Sequence, residues 1–217
     1  MYILEGNIGV GKSTFLRLLS EHLPQINVVQ EPKENWTTQA SGQSLLESFY
    51  QNPQRWAYTI ETLAMVSRIR EQVNAAKKNS PTVLFERSVY SGHYCFAKNG
   101  YTHGFLSDIE WEIYSKWVDL LVHQQKYRPQ GFVYLQAQPD TCHGRVLKRN
   151  RVSEKSMSLE YIKQIHHWHE EFLVHKNDID VRLKKIPILI LNCNEDFLHN
   201  KEQMGDHAAR VKEFLKL

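Results

Sequence analysis

A chain of 217 residues with 41% apolar side chains is long enough for one α/β domain with a real core, and no run in it approaches the roughly 20 apolar residues that a membrane helix needs. A net charge of +3 without a long basic run suits small anionic ligands and argues against a nucleic-acid polymer as partner. The three cysteines, Cys95, Cys142 and Cys193, have neither metal nor disulfide spacing. With a strand starting at Tyr2, where a leader would stand, they predict a reducing, cytoplasmic setting.

In chain order, Tyr2-Ile3-Leu4 reads as a first buried strand, followed by a glycine-rich turn and a helix over Lys12 to His22. Ile26 to Val29 is a second strand, with a long helix from Gln54 to Ala76 after it. Val83-Leu84-Phe85 is the third, leading to a helix over Ser107 to Gln125. Phe132 to Leu135 is the fourth, followed by helices over Pro139 to Lys148 and Leu159 to His175. Ile188 to Leu191 is the fifth, and a last helix runs from about Lys201 to Phe214. No repeat or low-complexity linker interrupts the chain, which predicts a single domain over 1–217. Strands alternating with long crossovers imply a parallel sheet covered on both faces, with ligands beyond the carboxyl ends of the strands. The residues just past those ends are Gly6, Glu31, Glu86 with Arg87, and Gln136.

Gly6-Asn7-Ile8-Gly9-Val10-Gly11-Lys12-Ser13 fits the phosphate-loop pattern, with a strand before it and a helix after. Glycines let the backbone turn its N–H groups toward phosphate oxygens at the positive end of the helix. Lys12 can neutralise the β- and γ-phosphates, and the Ser13 hydroxyl can ligate Mg²⁺. The Asn-Lys-x-Asp segment of GTPases does not occur, and a helicase or large ATPase needs more chain. A small-molecule kinase remains.

Glu31, at the end of the second strand, is placed to take the proton of an attacking hydroxyl; the alternative is a solvated loop carboxylate. Pro32 stiffens the turn, and Trp36 can wall an acceptor pocket. Glu86 can hold Mg²⁺ directly or through water and Arg87 can bind the acceptor or the phosphoryl, unless the two form an internal ion pair. Arg145, Arg149 and Arg151 stand at i, i+4 and i+6. Alone such arginines read as solvated surface; beside a phosphate loop they read as a lid over about 145–158. His166-His167-Trp168-His169 has no acid or cysteine to complete a metal set and reads as helix surface and packing. Lys77-Lys78 and Lys184-Lys185 read as solvated helix ends.

Together these residues resemble the deoxynucleoside kinase family, nearest its deoxycytidine and deoxyguanosine kinase branch. The carriers are Gly6 to Thr14, Glu31-Pro32 with Trp36, Phe85 to Ser91, Ile109-Glu110-Trp111, Tyr134 to Ala137, the lid arginines, Leu159-Glu160-Tyr161 and Asn194 to Phe197. The resemblance implies a P-loop kinase fold with a five-stranded parallel sheet and an arginine-bearing lid. It also implies transfer of the γ-phosphate of ATP to the 5′-hydroxyl of a deoxynucleoside, with magnesium as cofactor. Glu31 would be the base, with Arg87 beside it and Lys12 on the phosphates. Tyr50 and Glu154 would hold the 3′-hydroxyl, and Trp36 and Phe96 would pack on the nucleobase. Ser13 and Glu86 would serve magnesium, while Asp196 and Phe197 would meet the adenine of ATP. Family members are homodimers joined through long helices, which points here to Gln54–Ala76 and Ser107–Gln125.

The departures from the family fall on the base pocket. Glu61 stands for a base-pairing glutamine, Ile60 for a phenylalanine, and Gly92-His93 where relatives carry an aspartate; that aspartate's partner, Arg68, is retained. A carboxylate only accepts hydrogen bonds, so Glu61 could pair with the two adjacent donors of guanine. Alternatively, Glu61 lies two helical turns, roughly 10 Å, from Arg68 and could replace the missing aspartate as its counter-ion, widening specificity. A nucleotide kinase of the thymidylate kinase type is the nearest rival, but Glu31 would repel the phosphate of its substrate. A nucleotide-binding protein without catalysis would have little reason to keep Lys12, Ser13, Glu31, Glu86 and Arg87 together.

Overall fold

The computed structural model describes residues 1–37, 42, 44–77, 82–123, 128–154 and 156–217. Five parallel strands form one sheet: β1 (Tyr2–Gly6), β2 (Asn27–Val29), β3 (Val83–Glu86), β4 (Gly131–Gln136) and β5 (Ile188–Asn192), in the order β2-β3-β1-β4-β5. Tyr2 pairs with Leu84 on one side and Gly131 on the other, so the chain end of β1 stays at the middle of the sheet. β1 and β3 are wholly buried and β4 nearly so, which is why they read as unbroken apolar runs. Their side chains divide by alternation. Leu4, Val133 and Leu135 join a core with Phe15, Leu16, Met204 and Val211 on one face. Ile3, Phe132 and Tyr134 join Val89, Tyr114 and Phe172 on the other.

Helices α1 (Lys12–His22) and α11 (Lys201–Leu215) pack together on the first face. The second carries α4 (Pro53–Lys77) and α7 (Asp108–Val118), while α9 (Leu159–His169) sends Ile162 into the first core and packs Trp168 against the second. Each begins or ends as local chemistry directs. Ser107 accepts from the Glu110 N–H while the Glu110 carboxylate accepts from the Ser107 N–H, a capping box that starts α7. Pro139 opens α8 (Pro139–Arg149), and Asn150, at φ 49°, closes it.

Several short elements were not anticipated: α2 (Glu34–Thr37), α3 (Leu45–Gln51), α5 (Val89–Ser91), α6 (Lys98–Thr102) and α10 (Val181–Lys184). A π-helical segment, Gly92–Ala97, joins α5 to α6. The helices expected as single runs over Ser107 to Gln125 and Leu159 to His175 turn π-helical at Asp119–His123 and Glu170–His175. Lys78, Gln125 and lid residue 155 lie outside the described residues. Among the described residues no helix is long and apolar enough to cross a membrane.

Candidate active site

The carboxyl ends of β1, β2 and β3 open into a cleft of about 720 Å³, within the usual range for a small-molecule site. The phosphate loop forms its floor. Gly9 and Gly11 have φ of 82° and 104°, and a side chain on either would collide: a Cβ on Gly9 would lie 2.2 Å from the Cys142 carbonyl oxygen, one on Gly11 2.9 Å from the Phe197 ring. No side chain caps α1, so its first N–H groups are left for a phosphate. Asn7 fixes the loop from behind, donating to the Ile162 carbonyl at 2.9 Å and accepting from the Ile8 N–H at 2.7 Å. Lys12 is folded onto the Gly6 and Asn7 carbonyls at 3.0 and 2.8 Å. Burial first, and then Arg87, push its pKa well down, against the pull of Glu86 and Glu31.

Ser13 donates to Glu86 Oε1 at 2.8 Å, and Lys33 Nζ lies 3.1 Å from the same hydroxyl and 3.3 Å from the same carboxylate oxygen. A hydroxyl and a carboxylate that already attract an ammonium make an oxygen-only cation pocket of the kind magnesium takes with its waters and substrate phosphates. Among the described residues no cluster of three His, Cys, Asp or Glu side chains competes with it as a metal site. His169, from the histidine cluster, is buried and stacks on Tyr134.

Glu31 is the most heavily paired carboxylate in the cleft. It accepts from Arg68 Nη2 at 2.6 Å, with Arg87 Nε at 3.5 Å and Lys33 Nζ at 3.9 Å. Burial alone would raise its pKa, but Arg68, Arg87 and Lys33 outweigh that and take it down to about 2. Arg87 holds a left-handed backbone at φ 65°, pinned by its N–H to the Leu4 carbonyl at 2.9 Å, and its guanidinium lies over Phe96. Its Nη1 is buried without a partner, a donor left over for a ligand. Arg68 lies close against Gly92: a Cβ there would lie 2.8 Å from Arg68 Nη1, so a larger residue would require the guanidinium to shift. His93 turns away and stacks on Trp111.

Trp36, Ile60, Glu61, Phe96, Phe49 and Tyr161 also wall the cleft, and Tyr50 packs edge-on against Tyr161. Glu61 accepts from no described residue, and burial raises its pKa to about 7, with Arg68 and Arg87 opposing and Glu31 adding. Arg149 and Arg151 are paired to Glu154 at the cleft's rim. Arg145 is apart from them. Its guanidinium donates to the carbonyls of Val10 and Cys193 at 3.3 and 2.8 Å, and of Asn194 and Glu195 at 3.3 and 2.8 Å. It thus joins the phosphate loop to the segment that follows β5. In that segment Phe197 is buried edge-on to Phe15, and Asp196 accepts from the Leu198 N–H and pairs with His199; neither lines the cleft. Thr14 does line it. Lys33 and Phe49 are cleft residues that the sequence alone did not single out, and Tyr161, a carrier of the family resemblance, had no role assigned to it.

Among curated proteins the chain is similar to deoxycytidine kinase 2 of Gallus gallus, 39% identical over 98% of this chain and 89% of the relative. It is 38% identical to the deoxycytidine kinase of Homo sapiens over 98% and 89% of the two chains. It is 36% identical to the mitochondrial deoxyguanosine kinase of Xenopus laevis over 98% and 88%. The family model for deoxynucleoside kinases matches residues 2–216. With a parallel five-stranded sheet, a phosphate loop beneath its cleft and a family match along nearly its whole length, the chain belongs to the deoxynucleoside kinase family, ATP-dependent phosphotransferases of nucleoside salvage.

Proposed function

We propose that the γ-phosphoryl of ATP passes in line to the 5′-hydroxyl of a deoxynucleoside held against Glu31. The observation that carries this is the fixed carboxylate itself, clamped by Arg68 and Arg87 in the cleft that the phosphate loop floors. A pKa of about 2 keeps Glu31 ionised at any working pH. It is a weak base but always a hydrogen-bond acceptor, and in a loose transition state the hydroxyl loses its proton late, so orientation counts for more than basicity. Lys12 and the amides of the phosphate loop bind the phosphates. Ser13 and Glu86 are the residues that would hold magnesium, which neutralises phosphate charge when bound. Arg149 and Arg151 close over the donor. They are paired here to Glu154, which with Tyr50 suits the sugar 3′-hydroxyl, so binding the sugar and freeing the lid arginines draw on one carboxylate.

Trp36, Ile60 and Phe96 pack on the nucleobase, and Glu61 reads its edge. Arg68 is committed to Glu31, which supports readout by Glu61 over a role as counter-ion to Arg68. Arg145, Asp196 and Phe197 build the adenine end of the donor site, Arg145 by holding the loop rather than by touching phosphate. Three buried, unpaired cysteines suit a reducing compartment, and we place the enzyme in the cytoplasm.

The test is ATP-dependent phosphorylation of the four deoxynucleosides in parallel, with thymidine monophosphate as a fifth acceptor. Turnover of nucleosides alone is expected. Activity confined to the monophosphate would overturn the role of Glu31.

A homodimer is part of the same reading. On α7, Ile109, Ile113 and Trp117 form a stripe at i, i+4 and i+8, and they are 71%, 40% and 43% exposed. Val66 and Val73 are exposed on α4, which packs against α7. Trp117→Glu is expected to turn a dimer into a monomer at micromolar concentration by sedimentation; a wild-type monomer under the same conditions would refute it.

A further inference from the structure

Lys33 has no part in the assignments above, yet among the described lysines it reaches further into the site than any except Lys12. Its N–H donates to the Glu31 carbonyl across Pro32 at 2.8 Å, a three-residue turn that returns side chain 33 toward side chain 31. Its ammonium then lies 3.1 Å from Ser13 Oγ, 3.3 Å from Glu86 Oε1 and 3.9 Å from Glu31 Oε2. Those atoms come from different ends of the reaction. Ser13 starts the helix behind the phosphate loop, Glu86 ends β3, and Glu31 faces the acceptor. The ammonium marks the junction of donor and acceptor, and a phosphoryl crossing from one to the other passes within its reach.

The neighbouring cations have partners of their own: Arg68 on Glu31, Arg87 between Glu31 and the Phe96 ring with Nη1 left open, Lys12 on two carbonyls, Arg149 and Arg151 on Glu154. Lys33 is also the movable partner in its own cluster. Its side chain is 30% exposed, against 1% for Glu86 and 7% for Glu31. A magnesium ion held by Ser13 and Glu86 would claim the same oxygens, and like-charge repulsion would send the ammonium off them. Glu31 and the anionic phosphoryl are the partners that remain.

We propose that Lys33 is a catalytic cation that contacts the transferring phosphoryl between Ser13 and Glu31, leaving the Ser13–Glu86 oxygen pair as the donor loads. In that step the bond from the γ-phosphorus to the bridging oxygen breaks, its electron pair leaving with ADP. A bond from phosphorus to the acceptor oxygen forms, and the hydroxyl proton goes to Glu31. Lys33 supplies charge and exchanges no proton. The proposal rests on the acceptor lying against Glu31.

Lys33→Met keeps the stem and removes the charge, and Lys33→Arg restores a cation. The first is expected to lower kcat on the order of 10²-fold with little change in the acceptor KM, and the second to recover much of that loss. The readout apart from turnover is tryptophan fluorescence during titration with ADP and aluminium fluoride, in magnesium and deoxynucleoside. The fluoride stands in for the phosphoryl in flight. Lys33→Met is expected to weaken binding of ADP with aluminium fluoride about tenfold while leaving ADP alone unchanged. Equal binding of the fluoride complex by both proteins would overturn the proposal. So would an equal loss for ADP alone, which would make Lys33 a plain counter-ion of Glu86. Full turnover by Glu31→Ala would remove the reading beneath the proposal, whereas an inactive Glu31→Ala beside a fully active Lys33→Met would sink Lys33 alone.

Discussion

Glu31→Ala is expected to lower kcat by about 10²–10⁴-fold while ATP binding stays within about twofold of wild type. The substitution removes the acceptor of the hydroxyl's hydrogen bond and strands two buried guanidinium groups, Arg68 and Arg87, that the carboxylate now neutralises. Loss of that pairing also costs stability, so a thermal melt belongs beside the kinetics, and Glu31→Gln separates the two effects. The amide fills the same volume and can still accept from Arg68, so the fold is kept, but the negative charge is gone. Turnover should fall in both variants. Wild-type kcat in Glu31→Gln would show that the carboxylate is a structural counter-ion. Because Glu31 titrates near 2, an acid limb of kcat/KM around neutral pH must come from another group.

Glu61, with a pKa raised to about 7, changes charge there, and its effect should fall on the choice of base. Its pKa of about 7 reflects burial, opposed by Arg68 and Arg87 and reinforced by Glu31. Above that value the carboxylate accepts only, and it matches the two adjacent donors of guanine. Below it the acid donates one hydrogen bond and accepts another, matching the acceptor and amine of cytosine or adenine. Glu31, at about 2, stays ionised between pH 6 and 8, and Arg68, whose pKa burial would lower but Glu31 holds up, keeps its charge there. Over that range the ionised-to-neutral ratio of Glu61 rises about a hundredfold. The kcat/KM ratio of deoxyguanosine to deoxycytidine is therefore expected to climb with pH through 7. Glu61→Gln should flatten the climb and favour deoxycytidine and deoxyadenosine, with a mismatched hydrogen bond worth about 1–3 kcal/mol. An acceptor profile unchanged by the substitution at both pH values would take Glu61 out of base readout.

The sheet was legible because β1, β3 and β4 are buried on both faces and so carry no polar alternation to confuse them. The phosphate loop was legible because its glycines answer to contacts that admit no side chain. The π turns were not, since hydrogen-bond slippage inside a helix leaves the apolar spacing nearly unchanged; at Glu170 the carboxylate accepts from Tyr134 and Gln136, contacts made by the fold. Helix spacing grouped Arg145 with Arg149. The structure sends Arg145 back toward the carbonyls after β5, while α8 ends at Arg149 and the left-handed Asn150 redirects the chain. Lys33 escaped notice for a simpler reason. A lysine in Glu-Pro-Lys-Glu reads as solvated charge until the turn at Pro32 folds it inward.

The four carbonyls gathered by Arg145 bear on the cost of binding ATP. They tie the phosphate loop to the segment after β5 before any nucleotide arrives. A loop already ordered loses little freedom when its ligand docks, so less of the contact energy goes into arranging the protein. Lysine could not substitute, since one ammonium has three donors on a single atom and cannot fan out over four separated oxygens. On the proposed reading the donor half of the enzyme is a rigid seat, and the motion needed to enclose the reaction falls to Arg149 and Arg151, paired here to Glu154 at the other rim.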